Sequence, residues 1–167
     1  MPVSPRLHSA SPAATRSLGV ALGEALRPGD FVALGGPLGA GKTALARGVA
    51  EGAGVDPADV SSPTYSIVQS YPGRALRLHH ADLYRLRGED DLYATGYHEL
   101  LEQPGAAVLV EWFDQVPGAV PEDALLVRLA PAGEAERELE LEATGPGARA
   151  LLERWLSRLG GSGAAGG

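Results

Sequence analysis

No cysteine and no asparagine occur among the 167 residues, and lysine occurs once, at position 42. Without cysteine there is no disulfide framework, no thiolate zinc site and no catalytic thiol. The guanine-reading motif of GTPases, N-K-x-D, needs an asparagine and a lysine together, so its usual form is missing. Apolar runs are all too short to cross a bilayer. The opening segment MPVSPRLHSASPAATRS lacks the apolar stretch of a secretory signal. A cytoplasmic protein with no membrane contact is expected. Asp and Glu outnumber Lys and Arg by 21 to 14, a net charge of −7, so bulk electrostatics do not draw the chain to nucleic acid and no DNA partner is expected.

The length suits one domain with a sizeable core. Ser11-Pro12 reads as a helix cap followed by proline at the first helical position. Leu18, Ala21, Leu22, Ala25 and Leu26 then give one apolar helical face. Phe31 to Leu34 reads as a short buried strand, and a second helix is expected from Lys42 to about Gly54. Tyr65 to Tyr71 and Leu76 to His80 read as strands around Pro72-Gly73. Glu89 to Glu102 reads as helix interrupted near Gly96. Ala106 to Val110 is a continuous apolar run, as in a central strand covered on both faces. Leu125 to Leu129 and Arg137 to Leu141 read as a late strand pair, and Pro146 to Leu159 as a last helix. These elements predict an α/β fold of P-loop NTPase type: a largely parallel sheet with an antiparallel part and helices on both faces. Residues 1–159 are expected to form the single domain, and residues 160–167, only Gly, Ala and Ser, a disordered tail.

Chemistry enters at Gly36-Pro-Leu-Gly-Ala-Gly-Lys-Thr43, a match to G-x-x-x-x-G-K-[ST] between a predicted strand and a predicted helix. A nucleoside triphosphate crowds about four negative charges together, and backbone N–H groups must reach them without side chains in the way. Glycines at 36, 39 and 41 clear that path. The amides and side chains of Gly39, Ala40, Gly41, Lys42, Thr43 and Ala44 are the expected cofactor contacts for ATP. Lys42 reaches the β- and γ-phosphates, and the Thr43 hydroxyl can ligate Mg2+.

A phosphate loop also needs an acid at a neighbouring strand end to hold the metal. Glu111, directly after the run ending at Val110, is the candidate. Asp82 ends the strand that begins near Leu76; it is a candidate to orient or deprotonate the attacking water or to serve as a second acid near the metal, and otherwise an N-cap or turn aspartate. Thr64, in Ser62-Pro63-Thr64, reads either as a sensor of the γ-phosphate or as part of a plain turn. His79 and His80, being adjacent, point to opposite sides of a strand and read as one core and one exposed histidine. Trp112 reads as packing. Arg74, Arg77, Arg85 and Arg87 make a basic stretch around Asp82, suited to RNA, a partner protein or the γ-phosphate, or simply solvated.

Taken in order, these segments resemble the TsaE (YjeE) family, small bacterial ATPases that take part in making threonylcarbamoyladenosine on tRNA. Thr15 to Leu26 resembles the family's first helix and Leu38-Gly-Ala-Gly-Lys-Thr43 its phosphate loop. Ser62-Pro-Thr-Tyr65, His80-Ala-Asp-Leu-Tyr-Arg-Leu86, Gly96-Tyr-His-Glu99 and Val110-Glu-Trp112 resemble its S-P-T-[FY], H-x-D-L-Y-R-L, G-x-x-[ED] and E-W segments. The resemblance implies that Thr43 and Glu111 hold Mg2+, that Asp82 and Lys42 are catalytic, and that Thr64 belongs to a switch-like loop. It implies TsaB and TsaD as partners, with tRNA met only through their complex. Two positions depart from the pattern. Pro37 replaces a usual Asp, and Ala44 replaces a frequent Ser or Thr, which removes a hydroxyl near the α-phosphate and is expected to weaken nucleotide affinity.

Two other readings share the loop. A small-molecule kinase would add an arginine-bearing lid, for which Arg85 and Arg87 are available, but no acceptor-binding pattern is visible. A nucleotide-binding regulatory module would bind ATP without turning it over.

Overall fold

The computed structural model describes residues 4–60 and 67–163. In chain order its strands are β1 (Arg6–Ser9), β2 (Phe31–Gly35), β3 (Val68–Pro72), β4 (Arg77–Asp82), β5 (Ala106–Glu111), β6 (Leu125–Pro131) and β7 (Arg137–Ala143). The helices are α1 (Pro12–Ala25), α2 (Lys42–Gly52), α3 (Glu89–Ala94), α4 (Tyr97–Leu101) and α5 (Pro146–Gly163). One seven-stranded sheet runs in the order β1-β7-β6-β2-β5-β4-β3. The middle pairs β6·β2, β2·β5 and β5·β4 are parallel, and the outer pairs β1·β7, β7·β6 and β4·β3 are antiparallel. The sheet is parallel through its middle and antiparallel toward both edges, the mixed α/β architecture expected from the sequence.

The continuous apolar runs explain the centre. Every residue of β2 and of β5 is buried, because side chains alternate between two faces and both are covered. On one face Val32, Leu34, Leu109 and Val127 pack with α1, α2 and α5, and Trp155 is fully buried among them. On the other, Ala33, Val108 and Val110 pack with Leu92 of α3 and Tyr97 of α4.

Three devices hold α1 and α2, the helix that follows the glycine loop, together. Ser11 caps α1, its hydroxyl accepting from the Ala14 amide at 3.0 Å, with Pro12 at the first helical position. Glycines then let α1 and α2 touch backbone to backbone. A Cβ on Gly48 would fall 2.1 Å from the Arg16 carbonyl oxygen, and one on Gly52 would fall 2.0 Å from that of Val20. Nothing larger than hydrogen fits at either place. Trp155 of α5 locks the outer side of this pair by donating its indole N–H to the Leu18 carbonyl at 3.0 Å.

Two differences from the sequence reading stand out, and one expectation falls outside the described residues. Strand β1 was not anticipated; four residues give too short a pattern, and β1 exists because β7 offers an edge to pair with. Helix α5 reaches Gly163, so the segment from residue 160 begins as helix; residues 164–167 lie outside the described part. The strand expected from Tyr65 is described from Val68, and Tyr65 lies outside the described residues.

Candidate functional site

Strand β2 delivers the chain to the carboxyl edge of the sheet between β5 and β6. The strand order reverses there, with β3 to β5 on one side and β6 and β7 on the other, which opens a crevice for ligands. Gly36-Pro-Leu-Gly-Ala-Gly41 fills the turn from β2 into α2. Gly36 needs to be glycine for space, since a Cβ would fall 2.3 Å from the Leu129 carbonyl oxygen of β6. Gly41 caps α2 in the left-handed region at φ 100°, which L side chains avoid. The amides of the first turn of α2 consequently face the loop's interior.

Lys42 is the buried cation of the site, only 6% exposed. Its Nζ donates to the carbonyl oxygens of Gly36 and Pro37, the latter at 2.7 Å. It also stands 3.8 Å from the centroid of the Trp112 ring, a cation–π contact. Burial pushes the Lys42 pKa down, and the carboxylates of Glu111, Asp82 and Asp114 oppose that shift. Trp112 reaches this position through a backbone φ of 62°, the sole positive φ at a non-glycine position among the described residues. Such conformations cost about 1 kcal/mol or more and persist where surrounding structure holds them. Here Tyr84 supports the indole, ring centroids 4.9 Å apart.

Parallel register assembles the acids. Leu34 of β2, Glu111 of β5 and Asp82 of β4 pair across adjacent strands, so the two carboxylates end neighbouring strands beside the strand that feeds the loop. Glu111 is 6% exposed and its Oε2 lies 2.7 Å from His80 Nε2. An ionised carboxylate only accepts, so Nε2 carries the hydrogen. Asp82 Oδ1 accepts from the Tyr84 amide at 3.0 Å. Burial raises the Asp82 pKa; the Tyr84 amide lowers it, the Glu111 charge raises it further, and His80 and Lys42 lower it. The balance is an acid held above its ordinary range next to one engaged by histidine.

Of the residues singled out from the sequence, Lys42, Asp82 and Glu111 come together. Ala40 is buried inside the loop, Ala44 is half-buried, and Gly39 and Thr43 are exposed on its open side. Thr64 lies outside the described residues. The basic stretch divides. Arg77 begins β4 and Arg74 precedes it, whereas Asp82 ends that strand. Five residues of strand separate Arg77 from Asp82 by roughly 16 Å. Arg74 instead meets the end of α2, its amide donating to the Ala53 carbonyl. The expectation that all four arginines surround Asp82 is therefore corrected: only Arg85 and Arg87 follow it on the same edge. His80 and Trp112, which the sequence presents as ordinary structure, contact Glu111 and Lys42. His79 is buried as expected of one of the pair, but His80 is bound to Glu111 rather than simply exposed. The signal for His80 was its spacing, two residues before Asp82 and hence on the same side of β4.

Among the described residues no three His, Cys, Asp or Glu side chains form a metal cage. A cation such as Mg2+ keeps waters and takes one or two protein oxygens plus phosphate. A hydroxyl at Thr43 and a buried carboxylate at Glu111 are hard oxygen donors of this kind.

The sheet order, the loop between β2 and α2 and the paired strand-end acids define an α/β protein of P-loop architecture. Residues 9–139 match the model of the family described as "Threonylcarbamoyl adenosine biosynthesis protein TsaE". A Bacillus subtilis protein named tRNA threonylcarbamoyladenosine biosynthesis protein TsaE is 35% identical over 151 residues, covering 90% of this chain and 92% of its own. A protein of the same name from Streptomyces coelicolor is 39% identical over 147 residues, covering 85% and 94%. The crystal structure of Bacillus subtilis YdiB superposes with a TM-score of 0.75 at 28% identity, covering 94% of this chain and 97% of that one. The chain belongs to the TsaE family.

Proposed function

We propose that this protein is a Mg2+-dependent ATPase that serves the formation of N6-threonylcarbamoyladenosine in tRNA, acting in the cytoplasm with the transfer complex of TsaB and TsaD. The observation that carries the catalytic part is the register that sets Asp82 and Glu111 side by side next to the loop bearing Lys42. The family and the names of the relatives support the role in tRNA modification.

The loop amides and Lys42 bind the phosphates, exchanging the Gly36 and Pro37 carbonyls for phosphate oxygens. Thr43 and Glu111 would hold Mg2+, which when bound neutralises charge on the phosphate oxygens. His80 fixes the orientation of Glu111. Asp82, pushed toward higher pKa by burial, accepts a hydrogen bond from the attacking water and orients it. Thr64 would report the γ-phosphate to the partner proteins. The absent N-K-x-D motif favours adenine over guanine.

ATP hydrolysis measured on the isolated protein, then with TsaB, TsaD and tRNA added, tests the reading. A slow basal rate that rises with partner concentration is expected. Phosphate transfer to a small-molecule acceptor with no effect of partners would reject it in favour of a kinase.

A further inference from the structure

Arg137 opens β7, 98 residues after the loop, yet its Nη2 donates to the Gly39 carbonyl at 2.9 Å. The same guanidinium donates through Nη1 to Glu136 O at 2.7 Å and to Gly133 O and Glu134 O at 3.4 Å. These four bonds all go to backbone carbonyls. The three through Nη1 fold the β6–β7 connection around the side chain and hold it in place before it reaches the loop. Its stem lies against the loop as well: Arg137 Cγ is 3.6 Å from where a side chain on Gly41 would begin.

The bond to Gly39 selects one orientation of a peptide that is otherwise easily turned over. Gly39 sits at φ 78° and Gly41 at φ 100°, where glycine rotates with little cost. In a trans peptide the C=O and the following N–H point in opposite directions. With the Gly39 carbonyl turned out to Arg137, the Ala40 N–H is turned in, where it donates to the Pro37 carbonyl at 3.2 Å. That carbonyl also accepts from Lys42. A flip would send the N–H outward and present a carbonyl oxygen to the phosphates.

Resting on the nucleotide-binding reading given above, we propose that Arg137 is a positioning residue for the phosphate loop, holding the Gly39–Ala40 peptide with its N–H inward for a phosphate oxygen. It touches neither phosphate nor metal and acts through the loop backbone. Its loss lets the loop populate the flipped peptide, so binding of the triphosphate weakens. Bound phosphates restore the inward N–H, so turnover at saturation survives.

The test uses full-length wild type, Arg137→Ala and Arg137→Lys, titrated calorimetrically with a non-hydrolysable ATP analogue and Mg2+, with melting temperatures alongside. Arg137→Ala should weaken binding by roughly tenfold, the worth of one hydrogen bond to a charged donor. Its KM for ATP should rise by a similar factor with kcat near wild type. Arg137→Lys, able to reach a single carbonyl, should fall between. Unchanged affinity in Arg137→Ala overturns the proposal, as does equal loss of kcat and affinity in step with a lowered melting temperature in both variants. If Arg137→Ala does not fold, Arg137→Lys at the wild-type melting temperature must still lose affinity, and full affinity there overturns it. Wild type that binds no nucleotide rejects the functional reading itself, whereas wild-type binding with an indifferent Arg137 rejects this role alone.

Discussion

His80 Nε2 stands 2.7 Å from Glu111 Oε2, so the carboxylate ending β5 is held by a histidine from the neighbouring strand β4. Glu111 is nearly buried, and a buried carboxylate needs such a donor. Replacing Glu111 by Ala should weaken Mg2+-dependent binding of an ATP analogue by about tenfold or more, one charge-assisted contact. His80→Ala should give a smaller loss in the same direction, because the carboxylate remains but is no longer aimed. Magnesium titration at fixed nucleotide separates the two. A Glu111→Ala protein with wild-type magnesium dependence would remove the metal assignment.

Lys42→Ala should reduce nucleotide affinity by roughly a hundredfold, since two charge-assisted hydrogen bonds to phosphate are lost. No second lysine exists in the chain to substitute for it. Calorimetric titration reads the loss, and an affinity within a few-fold of wild type would contradict the role given to Lys42.

Asp82, the proposed water-orienting acid, also bears on stability. Its pKa is raised on folding, first by burial, so the folded state binds the proton more tightly than the unfolded state. Stability then falls as pH rises from the ordinary aspartate value of 3.8 through the raised value. Asp82→Asn should therefore melt about 1–2 °C higher than wild type at pH 7, a screened contribution of roughly half a kcal/mol. Well below pH 4 the advantage should disappear. The same variant should bind ATP and fail to turn it over. Hydrolysis at the wild-type rate would refute the catalytic role.

Gly48→Ala reverses the usual expectation for a helix. Alanine in place of glycine normally favours a helix by up to about 1 kcal/mol. Here the added methyl meets the Arg16 carbonyl oxygen at 2.1 Å, and backbone cannot step aside as a side chain can. A net destabilisation of about 1–3 kcal/mol is expected from overpacking, read in urea unfolding. Nucleotide affinity should fall too, because α2 begins at Lys42 and moves as one piece.

On the proposed reading, Arg85 and Arg87, which follow Asp82 at the end of β4, are the basic residues that would meet a partner at that edge. Charge reversal at both should reduce the stimulation of ATP hydrolysis by TsaB and TsaD several-fold without altering ATP affinity. Reversal at Arg74 and Arg77, at the other end of β4, should leave stimulation intact. The ATPase rate against partner concentration distinguishes the pairs, and equal effects would dissolve the assignment of the docking edge.

Much of this protein is written locally. The apolar runs Phe31 to Leu34 and Ala106 to Val110 announce buried parallel strands because a two-sided core leaves no polar alternation. Ser11-Pro12 announces a helix start through its own hydrogen bond. The glycine loop is legible because glycine spacing and a following Lys-Thr are one continuous segment whose backbone is proposed to hold phosphate. Asp82 and Glu111 were found as strand-end acids for the same reason. What only tertiary structure decided is pairing across distance. The β4·β5 register put His80 against Glu111. An unusual backbone angle turned Trp112 over Lys42. Sheet order brought β7 near enough for Arg137 to reach Gly39. Sequence spacing reports which residues share a strand or a turn, and contacts between strands far apart in the chain follow from how the sheet closes its core.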